Sequence, residues 1–170
     1  MSEHFLAEVD TGAISLVWAM AELARKPKVM KKAQEEIRNC GGKKKVTESN
    51  IDQLEYLKMA VQETLRLYPP SALLLPRETM SPFNVHVNVR TIGRDPKVWS
   101  NPEEFIPERF IDSAIDFKGQ NYELLPFGAG RRGCPGIFMG MSKWELALAN
   151  LLLCFDWKLP DGEEEDLNME

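Results

Sequence analysis

A mainly α-helical fold with small β pieces is predicted by three features of this 170-residue sequence. Four segments have the apolar spacing or unbroken apolar character of helices. The stretch between the third and fourth is cut by prolines into short extended pieces. A glycine-rich loop then opens directly into the last apolar segment. With 44% hydrophobic residues the chain can bury one core, and it reads as one unit, 1–170, with no separate second domain.

The first helix is expected over His4 to Arg25, where Leu6, Ile14, Leu16, Val17, Trp18, Met20 and Leu23 occupy nearly every face and imply burial on several sides. Pro27 suits the first turn of a second helix with Met30, Ala33 and Ile37 on one face, stopped by Gly41-Gly42. The Lys43-Lys44-Lys45 run is then a solvated loop. A third helix is expected to begin near Ser49 or Asn50, with Ser49 and Asp52 at capping-box spacing, and to run through Leu54, Leu57, Val61 and Leu65 to Tyr68, ended by Pro69-Pro70. Between Ser71 and Tyr122 the expectation is extended pieces at Leu73 to Leu75 and Val85 to Val89, with one helical turn at Pro102 to Phe105. Ile137 to Leu153 forms the fourth helix, a short strand follows at Phe155 to Leu159, and the acidic tail Gly162 to Glu170 frays.

A net charge of -5 argues against a general nucleic-acid binder, which needs a basic face. Three cysteines, Cys40, Cys134 and Cys154, form no CxxC pair and leave an odd count, so a reducing compartment fits better than a disulfide framework. No targeting signal is visible at the N-terminus. The apolar stretch Thr11 to Ala21 is too short to cross a bilayer, so the chain is not expected to span a membrane.

The loop from Pro126 to Gly136 places Cys134 among four glycines just before a helix. Glycines allow tight turns that aim N–H groups at a sulfur, and a helix start with Arg131 and Arg132 nearby would favour thiolate over thiol. From the loop alone three readings compete. One is a buried free cysteine beside a turn. Another is a dinucleotide fingerprint, since Gly128-Ala129-Gly130-Arg131-Arg132-Gly133 fits GxGxxG and Asp156 lies downstream; Pro126, however, interrupts the strand that motif requires, and Cys134 and Pro135 have no role in gripping a pyrophosphate. The third is a haem-thiolate site.

This third reading rests on a resemblance. Phe127, Gly130, Arg132, Cys134 and Gly136 match the haem-binding pattern FxxGxRxCxG of the cytochrome P450 family at every fixed position. Upstream stand Glu63-Thr64-Leu65-Arg66 and Pro107-Glu108-Arg109-Phe110, similar to the family's ExxR and PERF segments and in family order. An exposed Glu–Arg pair three apart would stabilise a helix by only about 0.2–0.5 kcal/mol. The resemblance instead implies a buried structural triad of Glu63, Arg66 and Arg109 behind a haem b. It also implies Cys134 as the iron ligand, Phe127 packed on the sulfur side, and Arg132 and Arg77 facing the haem propionates. Ala7-Glu8-Val9-Asp10-Thr11 resembles the family's AGxDT segment, which implies Asp10 and Thr11 as the acid–alcohol pair delivering protons to dioxygen. Without the other motifs Asp10 and Thr11 read as an ordinary helix N-cap. Glu8 departs from the family's glycine and would crowd that region unless residues 1 to 9 are not helical.

The fold implied is the C-terminal part of the cytochrome P450 fold, about a third of the usual enzyme, without an N-terminal anchor. The segments around Leu74-Leu75-Pro76-Arg77-Glu78 look most like plant microsomal members, whose setting is the endoplasmic reticulum membrane. A chain lacking the anchor would touch that membrane only peripherally or be soluble. The family reaction inserts one atom of dioxygen into a small organic substrate with electrons from an NADPH-dependent reductase, to whose docking Arg131 could contribute charge. Two other readings stay open: a catalytically inactive truncated product, and a non-catalytic module that binds the reductase. The substrate itself is not legible.

Overall fold

The structure, a computed structural model, describes residues 2–41, 45–81 and 83–159. The side chain of Glu8, Lys43 and Lys44 of the basic run, and the acidic tail lie outside the described residues.

Helix α1, Ser2–Arg25, covers residues 2–9 as well, so the alternative of a non-helical start is corrected. Its burial is one-sided rather than all-round. Ser15, Ala19, Glu22 and Leu23 face the core, whereas Ile14 and Val17 are exposed, because the helices of this chain cover only one flank. Helix α2, Pro27–Gly41, runs as its pattern predicts, with Met30, Ala33 and Ile37 buried.

The expected third helix is two. Helix α3, Glu48–Ile51, is separated by a turn at 52–54 from α4, Glu55–Leu67. Thr47, not Ser49, stands at the N-cap: its backbone N–H donates to Asn50 Oδ1 at 3.0 Å. The start of α4 is capped from outside, since Glu36 of α2 accepts from the N–H groups of Tyr56 (2.8 Å) and Leu57 (2.9 Å) with its two oxygens. These donors have no partner within the helix. That remote cap lets a new helix begin after a turn without its own Ser or Asp.

After Pro69-Pro70 the chain doubles back. Strands β1, Arg77–Glu78, and β2, Asn84–Val85, pair antiparallel with Arg77 opposite Val85, and a single bridge joins Leu73 to Asn88. Helix α5, Val89–Ile92, follows, its Asn88 side chain accepting from Thr91 N, so the extended piece ends one residue earlier than expected. The helical turn expected at Pro102 to Phe105 is a plain turn closed by Glu104 N on Asn101 O. The 3-10 turns lie instead at Pro107–Phe110 and Gly130–Arg132.

Helix α6, Ile137–Cys154, buries Trp144, Leu148, Ala149 and Leu152 against α1 to α4. It is long and apolar enough to cross a membrane by length and composition, and here it packs one face into the core while Phe138 and Met139 stay exposed. Gln34 of α2 donates to the carbonyls of Leu152 and Phe155 and closes its C-terminal end. Residues 155–159 form no strand: Phe155 is extended, but the segment pairs with no strand among the described residues. The core between α1, α2, α4 and α6 includes Leu23, Ile37, Leu57, Val61 and Leu148, each fully buried. At about 1.5–3 kcal/mol per buried side chain, this packing dominates the chain's stability.

Candidate functional site: the cysteine loop and its buried brace

Glu63 and Arg66 occupy one face of α4, and burial there demands partners for every charge. Glu63 is completely buried and Arg66 is 1% exposed. Arg66 grips Glu63 with both edges of its fork, Nε to Oε2 at 2.7 Å and Nη2 to Oε1 at 2.8 Å. Its remaining N–H groups donate to the carbonyls of Gly93 (2.5 Å), Pro102 (2.7 Å) and Glu104 (3.0 Å). The guanidinium therefore has an acceptor for each of its five donors.

Arg109 completes the cluster. Its Nε donates to Glu63 Oε1 at 2.9 Å, and its other nitrogens reach the carbonyls of Ser100, Asn101 and Glu104. Glu63 Oε1 also accepts from Ile106 N at 2.8 Å. One carboxylate thus holds two guanidinium groups and a backbone amide, while five carbonyl oxygens spread the excess positive charge. Trp99 lies beneath both arginines, 5.3 Å from Arg66 and 5.9 Å from Arg109. Gly93 is glycine for a local reason: a Cβ there would run into the Arg66 carbonyl oxygen.

The brace connects to the cysteine loop through aromatic packing. Phe110, next to Arg109, packs with Trp99 and Leu124, and Phe117 joins this cluster from its edge. Phe117 meets Phe127 edge to face at 6.0 Å, and the Phe127 carbonyl accepts from Cys134 N at 2.9 Å. Gly128 and Gly130 adopt φ of +71 and +67, the left-handed conformation that glycine tolerates. The loop preceding Phe127 is a succession of turns with no strand, which removes the dinucleotide reading.

Cys134 is exposed rather than buried, which corrects the buried-cysteine alternative. Gly136 lies beside Cys134, and a Cβ there would sit 4.0 Å from Cys134 Sγ, an ordinary van der Waals contact. Arg77 is half-buried and donates weakly to the Ala129 carbonyl at 3.4 Å, which brings β1 against the loop. Arg131 and Arg132 are exposed and make no ion pair among the described residues. Asp10 and Thr11 are exposed on α1, apart in sequence and element from the loop. Phe138 and Met139 at the start of α6, Leu73 and Leu75 before β1, and Ile14 and Val17 of α1 are uncovered apolar groups.

Sequence reading missed a second cluster. Tyr56 O–H donates to Glu108 Oε1 at 2.8 Å, Lys32 Nζ reaches the same oxygen at 3.0 Å, and Lys32 also lies 4.1 Å above the Tyr56 ring. Burial of Glu108 would raise its carboxyl, but the hydrogen bonds from Tyr56 and Lys32 and the Lys32 charge outweigh it and hold it below the usual range. Tyr68 stacks on Trp18 at 4.0 Å and donates to Glu22 at 2.7 Å; burial and the Glu22 carboxylate push its phenol up to about 12. No local spacing announces these pairs, whose members are 76, 52 and 46 residues apart.

The structure thus combines a mainly helical body, a buried Glu–Arg–Arg cluster and an exposed cysteine at the head of an apolar helix. The cytochrome P450 family model matches residues 1–170, and the chain belongs to the cytochrome P450 family. It is 54% identical to cytochrome P450 71B22 and 56% identical to cytochrome P450 71B24 of Arabidopsis thaliana, in each case over 100% of this chain and 37% of the relative. A zebra fish cytochrome P450 solved with abiraterone superposes with a TM-score of 0.83 at 30% identity, covering 98% of this chain and 41% of that one. The chain thus spans just over a third of the length of the relatives it matches.

Proposed function

We propose that residues 1–170 form one continuous piece of a cytochrome P450 monooxygenase, the piece that holds haem b by its proximal thiolate. The observation that carries this reading is the exposed Cys134 thiol, set in a glycine loop and joined by packing to the buried Glu63–Arg66–Arg109 cluster. The residues present fit the group. A soft sulfur suits iron, and Cys134 is exposed to receive it. The uncovered Leu73, Leu75, Phe138 and Met139 are candidates to contact an apolar macrocycle. Arg77 and the unpaired Arg132 are suited to its carboxylates.

When bound, the haem supplies the oxidising chemistry that inserts one atom of dioxygen into a small organic substrate. The chain's own residues do the rest. The Phe127 carbonyl and the glycine turns hold Cys134 with its sulfur outward, and Phe127 would pack on the sulfur side of the bound haem. Asp10 and Thr11 on α1 relay protons towards dioxygen, and exposed Arg131 offers positive charge to an NADPH-dependent reductase. The whole protein would work at the endoplasmic reticulum membrane, as the microsomal plant members it resembles do.

The test is the reduced carbon-monoxide difference spectrum of the purified chain after haem reconstitution, beside Cys134→Ala. A thiolate-type Soret band that vanishes in the variant is expected. A thiolate-type band of equal strength in both, or none in either, would overturn the assignment.

A further inference from the structure

Glu108 and Arg109 are neighbours in the Pro107–Phe110 turn, yet they grip α4 at two different points. Arg109 reaches Glu63, and Glu108 reaches Tyr56. Tyr56 and Glu63 are seven residues apart, two helical turns on the same face, so the grips stand about 10 Å apart along the helix axis. A turn held at one point can pivot; a turn held at two cannot. The second grip is itself anchored, because Tyr56 N is held by Glu36 and Lys32 bridges from α2 to the same Glu108 oxygen. As an exposed ion pair Lys32–Glu108 alone would contribute little. What gives it purchase is the buried Tyr56, 6% exposed, whose hydroxyl and ring engage both partners.

We infer that Glu108, latched by Tyr56 and Lys32, is a positioning residue that sets the angle of the Pro107–Phe110 turn and, through Phe110, the placement of the Cys134 loop. The path is continuous: Phe110 shares a cluster with Trp99 and Leu124, Phe117 packs against that cluster and on Phe127, and the Phe127 carbonyl holds Cys134 N. In its bearing on the thiolate ligand the inference rests on the function proposed above. Its mechanical core, the coupling of Glu108 to the loop, does not.

Amide hydrogen exchange of the full chain without haem tests that core in the parent, Glu108→Ala, Glu108→Gln and Tyr56→Phe. Ile111 N donates to the Glu108 carbonyl and Cys134 N to that of Phe127, so these two amides report the turn and the loop. Glu108→Ala should speed exchange at both by about tenfold or more, the loss of a charge-assisted contact, with the interiors of α2 and α6 unchanged. Glu108→Gln, which still accepts from Tyr56, should restore most of the protection. Tyr56→Phe keeps the ring and its packing, so it remains measurable if Glu108→Ala fails to fold, and it should speed exchange at both amides less strongly. Unchanged exchange at Cys134 in Tyr56→Phe and in any folded Glu108→Ala would overturn the inference. With haem reconstituted, the same variants should lower the share of thiolate-type carbon-monoxide band relative to total haem. If the parent shows no such band, the haem assignment fails, while the exchange result still decides the latch.

Discussion

Glu63 and Arg109, 46 residues apart in sequence, meet with 2.9 Å between Oε1 and Nε in a site where Glu63 has no exposure at all. Because every donor of Arg66 is also matched there, the cluster tolerates no missing member. Glu63→Ala leaves two buried guanidinium groups without their carboxylate and should destabilise the chain by about 3–5 kcal/mol. Urea unfolding would measure this, and the variant should purify without a Soret band because it takes up no haem. A loss below about 1 kcal/mol, or normal haem content, would contradict the brace.

Gly93→Ala should be harmful although it adds one methyl group. The new Cβ meets the Arg66 carbonyl oxygen, backbone against backbone, so Arg66 or α5 must shift and loosen the Arg66 bond to Gly93 O. A cost of about 1–3 kcal/mol is expected from chemical denaturation. An unchanged midpoint would show that the two segments part without strain.

Glu36→Ala removes the remote cap from two amides at the start of α4 and should cost about 0.5–2 kcal/mol. The accompanying sign is faster amide exchange at Tyr56 and Leu57 with the middle of α4 unchanged. Equal protection in variant and parent would mean that water replaces the carboxylate without loss.

Glu145 on α6 is buried, and desolvation raises its carboxyl, opposed by Lys58 and reinforced by Asp52. A carboxyl raised in the folded state binds more protons folded than unfolded, so its contribution to stability declines as pH rises from the ordinary glutamate range through the raised folded value. Above that window Glu145→Gln should melt higher than the parent, by about 2–4 °C for each kcal/mol recovered in a chain this size. Below the window the two should converge. Thermal melts between pH 4 and 8 read both; a variant that melts lower at neutral pH would show that the charged form is favoured in place.

Much of the fold was legible in the sequence. The spacing of Met30, Ala33 and Ile37 specifies the buried face of α2, and Pro69-Pro70 ends α4 because proline cannot continue a helix. The break between α3 and α4 was not legible. Leu54 and Leu57 keep the apolar pattern through the turn, and the cap for the new helix comes from Glu36 on another element. Likewise the strand expected at Phe155 to Leu159 has suitable residues but pairs with no strand among the described residues, and strands need partners more than propensity.

The sequence by itself determined the helical segments, the proline-cut connection and the glycine loop around Cys134, because these depend on residues within a few positions of one another. Which distant groups meet was decided only by the tertiary structure: Arg66 with three carbonyls of the 93–104 segment, Glu108 with Tyr56 and Lys32, and Phe117 with Phe127. Such pairings depend on where the chain travels after Pro69-Pro70, and that path is set by the shared burial of all the helices at once rather than by any local spacing.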